Sequence, residues 1–221
     1  MSPRGVIVNA ITFARLPLVF SWAVFAILQE LSADSGGGSL ALAVCAGLSM
    51  LLAGLTDAWD GALARRWGVV SALGKMADPL MDKVFYLVAF PVLVWHAAHS
   101  GAGELQTLAL LGLTILYLLR DTWVTFLRSV GTMYGADVGA MWLGKVRTAL
   151  SFPGAGWVYV YLCFRWFDFL RVDNALVNVV WPVSVLFVEA LLAVLTLVSL
   201  GTYTRAYMPY LKRALERKEN L

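Results

Sequence analysis

The chain has 221 residues, of which 60% are hydrophobic and only 14% charged. Soluble domains run at roughly 45–50% apolar and about 25% charged residues. The composition therefore excludes a disordered tail, an ordinary cytosolic domain and a nucleic-acid binder built on a basic surface. The net charge of +3 is small, but the 17 basic and 14 acidic residues are unevenly placed, and their placement is informative.

In chain order, a lead-in segment (1–12) precedes six apolar runs at roughly 13–31, 39–59, 79–98, 105–127, 143–166 and 175–200, and a basic tail spans 205–221. Each run is near the ~20 residues that cross a bilayer core of about 30 Å. A lipid-exposed backbone must satisfy its own hydrogen bonds, so the runs are predicted to be helices. The gaps are short and turn-like, as in Ser35-Gly36-Gly37-Gly38, Ser100-Gly101-Ala102-Gly103 and Arg171-Val172-Asp173-Asn174. No long polar linker interrupts them. The expected fold is all-α: one polytopic membrane domain over 1–221, with a bundle of six transmembrane helices over 13–200. Basic residues precede the first run as in a secretory signal, but its length and the spans that follow make it a retained helix.

Fifteen of the 17 Lys and Arg residues cluster at one set of run ends, leaving only Arg165 and Arg171 at the other. The positive-inside rule then places both termini and the 2–3 and 4–5 connections in the cytoplasm, in a multi-pass membrane protein. In the tail, Lys212, Arg213, Arg217 and Lys218 suit anionic headgroups. Trp95, Trp166 and Trp181 fit an interfacial belt. Cys45 and Cys163 stand alone in apolar runs and read as buried small hydrophobes. His96 and His99 are expected at the outer surface, and Glu189, mid-run, either as a functional acid or in a structural pairing.

The chemistry concentrates in one stretch. Asp57 and Asp60 are three apart and share a helix face, together with Gly61, Ala64 and Arg65. Asp78 and Asp82 are four apart and share a face of the next helix. A short turn joins the two helices, so four carboxylates can converge at the cytoplasmic end. A carboxylate inside a membrane costs ~2.5–3.5 kcal/mol even on the lenient insertion scale, and four together repel. Ion pairs with Arg65, Arg66, Lys75 and Lys83 are one remedy. Divalent cations are a better one, since all-oxygen ligands select hard ions such as Mg²⁺, Mn²⁺ or Ca²⁺. Two ions suit four carboxylates, and two-metal sites suit in-line displacement at phosphorus. Gly61 and Ala64 leave room for a flat ligand, or else permit close helix packing.

These residues spell D-x2-D-G-x2-A-R-x8-G-x3-D-x3-D through Asp57, Asp60, Gly61, Ala64, Arg65, Gly74, Asp78 and Asp82. The pattern resembles the signature of the CDP-alcohol phosphotransferase family (class I CDP-alcohol phosphatidyltransferases). The resemblance implies an enzyme that moves a substituted phosphoryl group from a CDP-alcohol to an acceptor hydroxyl and releases CMP. By position it makes Asp57, Asp60 and Asp78 metal ligands for two divalent cations, with Mg²⁺ expected and Mn²⁺ the alternative. Asp82 completes that cluster and is the expected general base. Gly61, Ala64 and Gly74 line the nucleotide pocket with Asp57, Asp60 and Asp78, and Arg65 supports the nucleotide. The resemblance also implies a homodimer among membrane lipids.

The acceptor must be read elsewhere. Asn9-Ala10-Ile11-Thr12-Phe13-Ala14-Arg15 is similar to the N-x-x-T-x-x-R opening of bacterial phosphatidylglycerophosphate synthases, with Thr12 and Arg15 on one helical face. Gly144-Lys145-Val146-Arg147-Thr148 is similar to their G-K-x-K-T segment, with Arg147 for the usual Lys, and Arg120-Asp121 stands where they carry R-E. Arg120, Arg128, Lys145 and Arg147 are candidates to hold an acceptor phosphate, although the positive-inside rule also accounts for them. The expected reaction joins CDP-diacylglycerol to a small phosphorylated polyol, glycerol 3-phosphate, giving phosphatidylglycerophosphate. Inositol phosphate and phosphatidylglycerol are the alternative acceptors. A cation transporter would need acids at several depths, and an aspartyl protease would need only one carboxylate pair. A non-catalytic scaffold would release no CMP.

Overall fold

The computed structural model describes residues 3–32, 40–69, 72–136, 141–166 and 175–216. All six runs form helices: α1 (Pro3–Leu31), α2 (Leu40–Trp67), α3 (Ala72–His99), α4 (Glu104–Met133), α5 (Trp142–Trp166) and α6 (Ala175–Glu216). Five have the length and hydropathy to cross a membrane: α1, α2, α4, and the stretches 80–99 of α3 and 179–216 of α6. The sixth, α5, opens with Lys145 and Arg147 and carries Ser151, Tyr159 and Tyr161, which lower its hydropathy.

Neighbouring helices alternate in direction, as short connections require. Thr12, early in α1, bonds to Asp60, late in α2. Lys83, early in α3, bonds to Thr125, late in α4. Arg120, late in α4, bonds to Ser199, late in α6. The start of α1, the end of α2, the start of α3, the end of α4, the start of α5 and the later half of α6 therefore share one end of the bundle, the site end. α3 is central, touching α1, α4 and α5, while α6 packs on α4 and α5. The core holds Trp22, Phe90, Leu93, Tyr117 and Leu162. α2 approaches its neighbours with small side chains, burying Ala43, Ala46, Ser49 and Ala53. A Cβ on Gly54 would sit 2.5 Å from the Phe152 ring of α5, so only glycine permits that contact.

The helices overshoot the apolar runs at the site end. α1 begins at Pro3, α2 ends at Trp67, α3 begins at Ala72 and α6 continues to Glu216. The 42 residues of α6 are ~63 Å of helix against about 30 Å of hydrocarbon. The lead-in segment and the tail, as far as they are described, continue α1 and α6 rather than standing apart; 1–2 and 217–221 lie outside the described residues, as do the turns 35–38 and 171–174. α2 stops at Gly68, whose φ of +62° only glycine adopts easily. Val69 N donates to Ala64 O at 3.1 Å and Gly68 N to Arg65 O at 3.4 Å, the paired bonds of a glycine C-cap.

Two sequence expectations change. Cys45 is exposed on the outer face of α2, an apolar thiol needing no burial among lipid. His96 is 1% exposed and contacts Glu30 of α1, so it belongs to the interior. Glu189 takes its structural reading: the Gln106 side-chain amide donates to it across α4 and α6.

Candidate active site

Helical spacing brings the acids of α2 and α3 together, and α1 supplies their partners. Arg15 Nη2 lies 2.5 Å from Asp57 Oδ1 and 3.2 Å from Asp60 Oδ2, and Arg15 Nη1 lies 3.5 Å from Asp82 Oδ1. Thr12 Oγ1 donates to Asp60 Oδ2 at 2.8 Å. One guanidinium thus meets three carboxylates drawn from two helices. The cluster has a floor and a mouth: the Arg15 and Asp60 side chains are 3% and 6% exposed, Asp82 36% and Asp57 60%. Asp78 lies on α3 one turn before Asp82, and its side chain is outside the described ones.

Arg15 as the common partner was not among the sequence expectations, which favoured divalent cations and weighed ion pairs with Arg65, Arg66, Lys75 and Lys83 as the alternative. Its signal was present in the spacing of Asn9, Thr12 and Arg15, all buried on one stripe of α1. Gly61, Ala64 and Gly74 are half-buried around the same helix ends. The nearest atoms that a Cβ on Gly61 would meet belong to Arg65, one turn on, at 3.4 Å from Nη1. Among the described residues no other helix presses on that position so closely, which weighs against packing as the reason for glycine there. Arg65 itself is exposed and lies along this surface.

Among the described residues, no three carboxylate, imidazole or thiol groups come together closely enough to hold an ion by themselves. Arg15 stands between the acids. The donor set still fits a hard cation: it is all carboxylate oxygen, brought from two helices to a point where positive charge is already required.

A second cluster lies beside the first. Arg120 Nη1 and Arg147 Nη2 share Asp121 Oδ1 at 2.8 and 3.1 Å. Arg147 is 2% exposed, with its guanidinium carbon 4.5 Å from the Tyr117 ring centre and 5.4 Å from that of Tyr86. Arg120 Nη2 donates to Ser199 Oγ at 2.6 Å, and Arg128 Nη2 donates to Tyr203 Oη at 3.1 Å. Lys145 is exposed at the start of α5. Lys83, adjacent to Asp82, donates to Thr125 Oγ1 at 3.1 Å and ties the two clusters into one surface. Here two guanidiniums meet one carboxylate, so cations are in excess. Ser199, Tyr203, Tyr86 and Tyr117 went unnoticed in the sequence because they lie in apolar or uncharged surroundings without a motif.

An apolar groove of about 360 Å³ runs between α2 and α5, lined by Leu40, Val44, Met50, Leu51, Phe152 and Val160. Leu51 precedes Asp57 by six residues, or about 9 Å along the helix.

A family model for CDP-alcohol phosphatidyltransferase matches residues 6–191, which hold the first cluster and the charged residues of the second, Arg120, Asp121, Arg128, Lys145 and Arg147. The chain belongs to this family. The chain is also similar to the proteins named CDP-diacylglycerol–glycerol-3-phosphate 3-phosphatidyltransferase of Escherichia coli K12, Escherichia coli O157:H7 and Shigella flexneri serotype 5b. Identity to each is 31% over 113 residues, or 51% of this chain and 59% of the relative. The chain thus spans well under two thirds of these relatives. The family assignment accords with a multi-pass membrane protein, since five of the described helices have the length and hydropathy of membrane spans.

Proposed function

We propose that the protein transfers the phosphatidyl group of CDP-diacylglycerol to glycerol 3-phosphate, yielding phosphatidylglycerophosphate and CMP. The observation that carries this reading is the adjacency of two charge-mismatched clusters: acids in excess around Arg15, cations in excess around Asp121. A diphosphate donor needs the first once divalent cations neutralise it, and a phosphorylated acceptor needs the second. The α2–α5 groove supports a lipid donor, since acyl chains can lie in it while the diphosphate meets Asp57.

Asp57, Asp60 and Asp78 are the proposed ligands of two divalent cations, with Mg²⁺ preferred and Mn²⁺ the alternative. Bound there, such ions would neutralise charge developing on the transferring phosphate. Gly61, Ala64 and Gly74 leave space for the nucleotide, and Arg65 flanks it. Arg120, Arg147, Arg128 and Lys145 hold the acceptor phosphate. Asp82 accepts the proton of the acceptor hydroxyl as its oxygen bonds to the phosphatidyl phosphorus and the bond to CMP breaks. Thr12 and Arg15 orient Asp60 and balance its charge. One domain carries all these groups, as a homodimer in the inner membrane with the site facing the cytoplasm. The basic bias toward the site end supports that orientation.

The test is CMP release by purified protein in detergent with CDP-diacylglycerol and Mg²⁺, offering glycerol 3-phosphate, inositol phosphate, phosphatidylglycerol or serine. Release that requires glycerol 3-phosphate and disappears in Asp82→Asn is expected. Release with another acceptor would discard the glycerophosphate assignment and keep the transferase. No release with any acceptor or divalent metal would favour a different CDP-alcohol donor or a scaffold.

A further inference from the structure

We propose that Tyr203 of α6 is the positioning residue of the acceptor-phosphate pocket, holding Arg120 and Arg128 in convergence. This rests on the reading of the cationic cluster given above. Tyr203 is 1% exposed, yet its surroundings are not simply apolar. Its hydroxyl oxygen accepts from Arg128 Nη2 at 3.1 Å and from the backbone N–H of Met141 at 2.9 Å. Its ring centre lies 5.0 Å from the guanidinium carbon of Arg120 and 5.4 Å from that of Arg128, within cation–π range. One turn earlier on α6, Ser199 accepts from Arg120 Nη2. A Cβ on Gly144 would meet Arg120 Nη2 at 3.2 Å and Tyr203 Oη at 3.3 Å, so the start of α5 also closes on this point. Arg120 and Arg128, the lead of α5 and the face of α6 therefore meet at one phenol.

The physical case is one of preorganisation. Two guanidiniums repel, and each arginine loses roughly 1.5–2 kcal/mol of rotamer freedom when fixed. Arg128 is exposed and has no reason of its own to point inward. The Tyr203 ring and hydroxyl supply that reason before any ligand arrives. A phenylalanine would pack against Val124, Leu127 and Tyr207 as well as tyrosine does. The hydroxyl is what packing leaves unexplained.

Tyr203→Phe keeps the ring and removes the hydroxyl. Losing one hydrogen bond from a charged donor predicts a rise of about tenfold in the acceptor KM. The kcat and the KM for CDP-diacylglycerol should not change. Val124→Ala, in the same apolar cluster, should lower the thermal midpoint and leave the acceptor KM alone. Inorganic phosphate should raise the thermal midpoint of the wild-type protein and do so less in Tyr203→Phe. If the phenylalanine variant does not fold, Gly144→Ala crowds the same hydroxyl and guanidinium and should raise the acceptor KM in its place. Wild-type-like acceptor KM and phosphate response in the folded variant would overturn the role of Tyr203 alone. A wild-type protein that phosphate does not stabilise, or that uses only unphosphorylated acceptors, would overturn the pocket and this proposal together.

Discussion

The two ends of the bundle both carry buried charge, but they treat it differently. At the far end Glu30 faces His96, with side chains 2% and 1% exposed, and Gln106 donates to Glu189. Glu30 and Glu189 each meet a partner on another helix, and both pairs are buried. At the site end three carboxylates crowd one guanidinium and two guanidiniums share one carboxylate. Exposure also rises along the acid cluster, from 6% at Asp60 to 60% at Asp57. One-to-one polar pairs that are buried join helices. Mismatched charge that opens outward leaves valence for something the protein binds.

Four experiments bear on that contrast. Chelation of divalent metal should abolish CMP release, and Mg²⁺ should restore it, which a purely structural acid cluster would not require. Next, Asp82→Asn should lower kcat by roughly 10²–10⁴-fold, the usual worth of a general base. Its thermal midpoint should stay near wild type; a fall in activity of less than about tenfold would remove Asp82 from that role. At the far end the pattern should invert. Glu30→Ala should cost about 1–2 kcal/mol of stability, as for interhelical polar contacts in membranes, while kcat holds. Reduced kcat in Glu30→Ala would dissolve the distinction between the ends. The smallest effect is the most discriminating. Gly61→Ala should stabilise α2 by up to ~1 kcal/mol through helix propensity. It should nevertheless raise the KM for CDP-diacylglycerol by about tenfold, because a methyl enters the nucleotide space. A packing role for Gly61 would instead reduce stability.

The site was legible in the sequence where its geometry is local. Asp57 and Asp60, or Asp78 and Asp82, share a face because helical spacing alone puts them there. The turn between them was readable from its brevity, while the role of Gly68 in ending α2 appeared only in the structure. The extent of the helices was not: hydropathy registers only the part of a helix that lies in hydrocarbon. The overshoot that carries Gly61, Arg65 and Gly74 on α2 and α3, and Tyr203 on α6, is too polar or too mixed to show as an apolar run. His96 was misplaced for a related reason. Its position near a run end suggests a surface, and only Glu30 on another helix accounts for its burial.

The sequence by itself determined the class of the protein, the number of helices, the family signature and the helix end at which the acids gather. These follow from composition, period and short-range spacing, which act within one or two helical turns. Tertiary structure alone decided which charges meet. Arg15 rather than Arg65 or Lys83 sits among the acids, Arg120 and Arg147 share Asp121, and Tyr203 stands between Arg120 and Arg128. The partner of a buried charge is set by how whole helices pack, and in a dry interior the nearest countercharge, however distant along the chain, is the one that counts.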